Sequence, residues 1–178
     1  MHCDQDCDVT SKTITITVPV VEIERTKKKQ KKVKMPYRFV LLVNKQGQTR
    51  LSQYYGPWLS VSERVALEAE IIRKCLSRTE LQCSFMTFRQ YRVVYRRYAS
   101  LYFIVGMDDE NANELGTLEF NHALVETLDK YFGNVCELDI MFSIDTAHHI
   151  LDEMVMNGHV VETNRTNILK PITMMEKA

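Results

Sequence analysis

The densest concentration of groups able to do chemistry is His148, His149, Asp152 and Glu153. On a helix His148 shares a face with Asp152, and His149 with Glu153, so each face offers a metal ion two ligands. A catalytic zinc centre uses three protein ligands and an open position, so helix-surface hydrogen bonding is the simpler reading. His122, between Glu119 and Glu126, reads as a similar surface ladder rather than a base. Cys3 and Cys7 have only His2 nearby, which falls short of a metal site. No G-x-G-x-x-G, G-x-x-x-x-G-K-[ST] or G-x-S-x-G pattern occurs. Nothing in these residues makes a positive case for an enzyme or a cofactor.

The segment Val93-Val94-Tyr95-Arg96-Arg97-Tyr98-Ala99-Ser100-Leu101-Tyr102-Phe103 offers recognition instead of catalysis. Two strands rich in tyrosine and arginine meet at a corner of small residues. Tyr and Arg bring contact area and hydrogen bonds at low entropic cost, which suits an interface. An edge strand guarded by Arg96 and Arg97 is the competing reading.

The elements that must position these groups come from a chain of 178 residues, 45% apolar and 26% charged, a size suited to one domain with a real core. Twenty-three basic and 23 acidic side chains give a neutral total, which argues against a generic nucleic-acid binder. No apolar run approaches the roughly 20 residues of a membrane-spanning helix. Five cysteines, an odd number, suggest reduced thiols of a cytosolic protein rather than a disulfide framework. The neutral total conceals a split: residues 1–34 hold eight basic and five acidic groups, whereas 35–178 hold fifteen and eighteen. The first segment has one strand-like alternation, Thr13 to Val18, interrupted at Pro19 and followed by six lysines between Lys27 and Lys34. Two domains of unequal kind are therefore expected: a poorly ordered basic extension over 1–34, and a compact domain over 35–178. The lysine run reads either as a solvated tail or as an attractor of anionic lipid.

Within the compact domain, an apolar run from Tyr37 to Val43, a turn at Gly47 and a return from Thr49 to Tyr55 predict a hairpin. Ser60 and Glu63 have capping-box spacing ahead of a helix whose inward stripe is Val65, Ala69, Ile72 and Leu76. Strands are expected over 84–88, 91–97 and 101–105, the last broken at Gly106-Met107-Asp108-Asp109. A helix over 114–132 faces inward with Leu118, Val125, Leu128 and Phe132. A second spans 137–156, with Ile144, Ala147, Leu151 and Met154 inward and Gly158 as its stop. A last helix starts near Thr163 and meets Pro171. The first and fifth strands are apolar on both faces, so they belong mid-sheet. The fold class is α+β: a five-stranded, mainly antiparallel sheet covered by helices on both sides.

The pattern of two aliphatics, Tyr and a base, then Leu-Tyr-Phe, carried by Val93, Val94, Tyr95, Arg96, Leu101, Tyr102 and Phe103, resembles the signature of the clathrin-adaptor small-chain (sigma adaptin) family. Asn44 through Leu51, Val135 through Asp139, and Leu151 through Met154 continuing to Thr163 agree with it in order, from about Met35 to the C-terminus. Within that family the chain is most similar to sigma subunits of the fourth adaptor complex; those of the first and second complexes are the alternatives.

The resemblance implies a longin-like domain and a non-enzymatic vesicle-coat subunit serving intracellular protein transport at the trans-Golgi network and endosomes. It implies tight packing against large adaptin subunits in a heterotetramer with a medium subunit, peripheral membrane association through that complex, and no nucleic acid. It also implies help in reading acidic-dileucine signals, [DE]-x-x-x-L-[LI], on cargo tails. By position, Arg50 corresponds to the residue facing the acidic side chain, and Ala99, Leu101, Val125, Asn134, Val135 and Ile140 to the leucine pocket. Ile140 replaces a leucine of the second adaptor complex, keeping the volume. Two buried leucines would contribute about 1.5–3 kcal/mol each before ordering costs, which gives micromolar or weaker binding. Without the resemblance, Leu101, Val125 and Val135 read equally well as core, and Arg50 as a hairpin-surface charge. A purely structural subunit without cargo contact is the corresponding alternative function.

Overall fold

A computed structural model describes residues 37–79, 81–108 and 113–175; the extension over 1–34, its strand-like alternation, its lysine run and Cys3 and Cys7 lie outside the described residues. β1 (Tyr37–Asn44) and β2 (Thr49–Tyr54) form the expected hairpin, followed by α1 (Val61–Leu76). Next come β3 (Phe85–Phe88), β4 (Tyr91–Tyr98) and β5 (Leu101–Asp108). The helices α2 (Glu114–Phe132), α3 (Glu137–Phe142) and α4 (Ile144–Met154) follow, then a two-residue-stranded hairpin, β6 (Val155–Met156) and β7 (His159–Val160), and α5 (Arg165–Met175). The main sheet runs β2-β1-β5-β4-β3, and each neighbouring pair is antiparallel. The doubly apolar strands β1 and β5 do lie side by side within it, as their lack of alternation requires.

One face of the sheet presents Phe39, Leu41, Val43, Val93 and Ile104 to Leu67, Ile71, Ile72 and Cys75 of α1. The other presents Val40, Leu42, Val94, Phe103 and Val105 to Phe120, Leu124 and Leu128 of α2, Ile140 of α3, Ile150 and Leu151 of α4, and Ile168 and Ile172 of α5. Ser60 caps α1 as its spacing predicts: its Oγ accepts from Glu63 N–H, and the Glu63 carboxylate accepts from Ser60 N–H at 2.9 Å.

Several local expectations are corrected. On α1 the buried stripe is Leu67, Ile71, Ile72 and Cys75, while Val65 is 61% exposed and Ala69 is exposed too. Apolar residues flank more than one side of this helix, and the bulkier Leu67 and Ile71 take the sheet. On α2 Leu128 is buried as expected, but Leu118, Val125 and Phe132 are only half-buried. Thr117, Asn121 and Thr127 are buried in their stead, the two threonines returning hydrogen bonds to Asn113 O and Ala123 O at 2.9 and 2.7 Å. A threonine satisfied one turn back tolerates burial, which a hydropathy pattern does not register.

β5 does not break at Gly106 but runs on to Asp108. Gly106 pairs across from Phe39, and a Cβ there would sit 2.0–2.5 Å from the Phe39 ring, so only glycine lets the ring lie on the strand. The helix expected over 137–156 is two helices, because Ser143 leaves the helical region at φ −128°, ψ 49°. It ends at Met154, and Asn157-Gly158 (φ 49° and 78°) form the two-residue turn of β6–β7 rather than a helix stop. β4 is not an edge strand: β3 pairs with it from Tyr91 to Val94, and only the half carrying Arg96, Arg97 and Tyr98 lacks strand pairing on that side.

Candidate functional site

Arg50 leaves β2 toward the start of α3. Its Nε and Nη2 donate to the same Glu137 oxygen, Oε1, at 2.9 and 2.7 Å, and Nη2 also donates to Gln48 Oε1 at 2.9 Å. Both side chains of the pair keep about a quarter of their surface, 24% and 25%. The hub behind them is Asn44, wholly buried at the end of β1. Its Nδ2 donates to Glu137 Oε1 at 2.9 Å and to the side chains of Gln46 and Gln48, while its Oδ1 accepts from the Gln46 and Gln48 amides at 3.0 and 2.8 Å. A buried amide must spend its polar atoms, and Asn44 spends them on holding the β1–β2 turn and Glu137 together. The hydrogen bonds from Asn44 and then Arg50 hold the Glu137 carboxyl below the usual carboxylate range. A group so depressed keeps its charge until pH falls through its folded value, so the ion pair persists at neutral and mildly acidic pH.

The apolar residues lie on the sheet face that α2, α3, α4 and α5 cover. Leu101, first residue of β5, pairs with Asn44, and Ala99 sits in the β4–β5 turn at φ +50°. Asn134 (φ +63°) and Val135 form the α2–α3 link immediately before Glu137, with the Val135 N–H donating to Asp129 Oδ1 at 3.0 Å. Ile140 points inward from α3, one turn after Glu137. Leu101 and Ile140 are members of the core, 2% and 0% exposed, and the half-buried Val125 and Val135 pack against that same core cluster. Ala99 and Asn134 are exposed. The seven residues thus form a graded set: two in the core, two half-buried on it, two on the rim, and a cation tied to Glu137 beside them.

The roles of Glu137 and Asn44 were not anticipated from sequence. The signal was present in the Asn44-x-Gln46-Gly47-Gln48-x-Arg50 spacing, a polar cluster beginning at the end of an apolar strand. An open cavity of about 690 Å³ lies at a different place, lined in part by Tyr37, Met107, Thr117, Phe120, His159 and Arg165, and includes none of the seven. Of the signature residues, Val93, Val94, Tyr95, Leu101 and Phe103 are buried, while Tyr102 is half-buried and Arg96 exposed. Their pattern reflects mainly the packing of β4 and β5. Among the described residues no three His, Cys, Asp or Glu side chains stand together as metal ligands; His122 Nε2 lies 3.5 Å from Glu126, and its ring stacks on Tyr98. No described helix is long and apolar enough to cross a membrane.

An α+β sheet closed by helices on both faces is the class of fold these elements define. The chain matches the family model of the clathrin adaptor complex small chain over residues 36–178, and it belongs to that family. It is 65% identical over 144 residues to the AP-4 complex subunit sigma of Arabidopsis thaliana, covering 81% of this chain and 99% of the relative. It is 51% identical over 140 residues to AP-4 complex subunit sigma-1 of Homo sapiens, covering 79% and 96%. A chain of a homology model of the full-length AP-3 complex in a stretched open conformation superposes with a TM-score of 0.64 at 29% identity, covering 79% of this chain and 94% of that one. The likeness to AP-4 sigma subunits and the α+β, longin-like architecture agree with the family resemblance read from the sequence.

Proposed function

We propose that this chain is the small, sigma-type subunit of a heterotetrameric adaptor complex acting in vesicle-mediated protein transport, non-enzymatic and bound to large adaptin subunits beside a medium subunit. The observation that carries this reading is the 65% identity to an AP-4 sigma subunit across 99% of that relative's length. Its membranes are those of the trans-Golgi network and endosomes, reached peripherally through the complex. Two exposed apolar groups favour burial by partner subunits. Trp58 (83% exposed) stands with Val61 and Val65 at the start of α1, and Leu138, Met141 and Phe142 share one face of α3. Purification of the tagged chain from its own cells should recover two large chains and one medium chain of the fourth adaptor type in equal amounts. Recovery of the first or second adaptor's chains would reassign the complex, and recovery of none would overturn the reading.

In the assembled complex the site around Arg50 receives acidic-dileucine cargo tails. The arrangement supporting this is a guanidinium that keeps about a quarter of its surface, paired to Glu137 two residues after the half-buried Val135, so some apolar surface lies close to the charge. The purely structural alternative also has specific support: Leu101 and Ile140 are already core, and Arg50 already holds a carboxylate. It predicts assembly of the complex without peptide binding.

A further inference from the structure

Arg50 is not an unoccupied cation awaiting a ligand. Its Nε–Nη2 edge, the geometry with which a guanidinium grips a carboxylate, is taken by Glu137 Oε1. Asn44 pins that oxygen from the other side at 2.9 Å, and Gln48 Oε1 takes a further Nη2 bond, so Arg50 and Glu137 are both seated from more than one direction. Arg50 Nη1 and Glu137 Oε2 enter none of these bonds. An arriving acid therefore meets a guanidinium that already holds a resident negative charge on its Nε–Nη2 edge.

We propose that Glu137 is a specificity-determining residue of the cargo site: an internal stand-in for the signal's acidic side chain that sets how strongly Arg50 rewards an acid. This rests on the reading of Arg50 and the leucine pocket as a dileucine site. Two consequences follow from the chemistry. The resident carboxylate repels an incoming one across a single guanidinium, so the acid adds less affinity than a lone arginine would give. It also holds the side chain in one rotamer, so that the remaining attraction has a direction. Gln in place of Glu separates these effects. Its Oε1 still accepts from Arg50 and Asn44, preserving position, while the charge is gone.

The experiment uses the assembled four-subunit complex, wild type and Glu137→Gln, titrated with two synthetic peptides of one dileucine sequence. One peptide carries Glu at the acidic position and the other Ala. Glu137→Gln should tighten the Glu peptide about three- to tenfold at low ionic strength, less at high salt, and leave the Ala peptide unchanged. The quantity read is the ratio of the two affinities within each complex, so a general loss of folded protein cancels. An equal or smaller Glu-to-Ala preference in Glu137→Gln overturns the proposal while leaving the dileucine site standing, provided both complexes bind. Failure of the wild-type and variant complexes to bind either peptide overturns the site itself, and the stand-in with it. Glu137→Asp is a second check: it keeps the charge but draws it back by one methylene, and should not exceed the wild-type preference by as much as Gln does.

Discussion

On one side of the sheet a single helix, α1, covers Phe39, Leu41, Val43 and Ile104; on the other, α2, α3, α4 and α5 share the cover. Both faces of the sheet are buried, but the two covers differ in what they leave outside. α1 turns Val61 and Val65 outward next to Trp58, so the cover itself carries apolar surface. The multi-helix side exposes apolar side chains too, Leu138, Met141 and Phe142 on α3, but it also has a seam at the α2–α3 link, where Val135 is half-buried two residues before Glu137 of the ion pair. What distinguishes the two sides is this partly buried seam next to a charge pair.

The largest effect should come from the strand pair common to both sides. Gly106→Ala drives a Cβ into the Phe39 ring, which is itself 1% exposed and hemmed in by Tyr54 and Tyr91, so a loss of about 3 kcal/mol is expected in urea unfolding. Adding Phe39→Leu should recover part of it, a non-additive result that identifies the contact. Next, Leu101→Ala and Ile140→Ala should each cost about 2–3 kcal/mol, the lower part of the range for buried core truncations. Val125→Ala and Val135→Ala, half-buried, should cost about 1 kcal/mol. Equal costs across these four would erase the distinction between core and seam. Ser60→Ala, which removes the α1 cap, should cost about 1 kcal/mol. Smallest of all, Val65→Ser should shift the stability of the chain alone by under about 0.5 kcal/mol yet reduce recovery of large subunits in the purification.

Much of this arrangement was legible in the residues. β1 and β5 announced a central position because neither alternates, and Ser60-x-x-Glu63 marked the start of α1 correctly. The family signature led to the family itself, which the match over residues 36–178 shows. What stayed hidden depends on contacts distant in sequence. Nothing near Gly106 says that Phe39, 67 residues earlier, needs its missing Cβ. Ser143 is an ordinary residue whose non-helical backbone divides α3 from α4, and its type gives no warning. The Asn157-Gly158 pair carries a hairpin signal, but next to a helical pattern Gly158 reads equally well as a helix stop. Glu137 lies in a recognised motif, yet its partnership with Arg50 exists only once β2 and α3 are brought together. Leu101 and Ile140 match a ligand pocket by position in the family, and the structure places both in the core.

The central claim is that the seam between the α2–α3 link and the β4–β5 turn is a cargo site in a small adaptor subunit. Calorimetric titration of the assembled complex with an acidic-dileucine peptide tests it most directly, comparing wild type with Val125→Asp. The account predicts micromolar or weaker saturable binding by the wild type and none by Val125→Asp, with the variant still assembling into the complex. Undiminished binding by Val125→Asp, or no binding by the wild type, would contradict it.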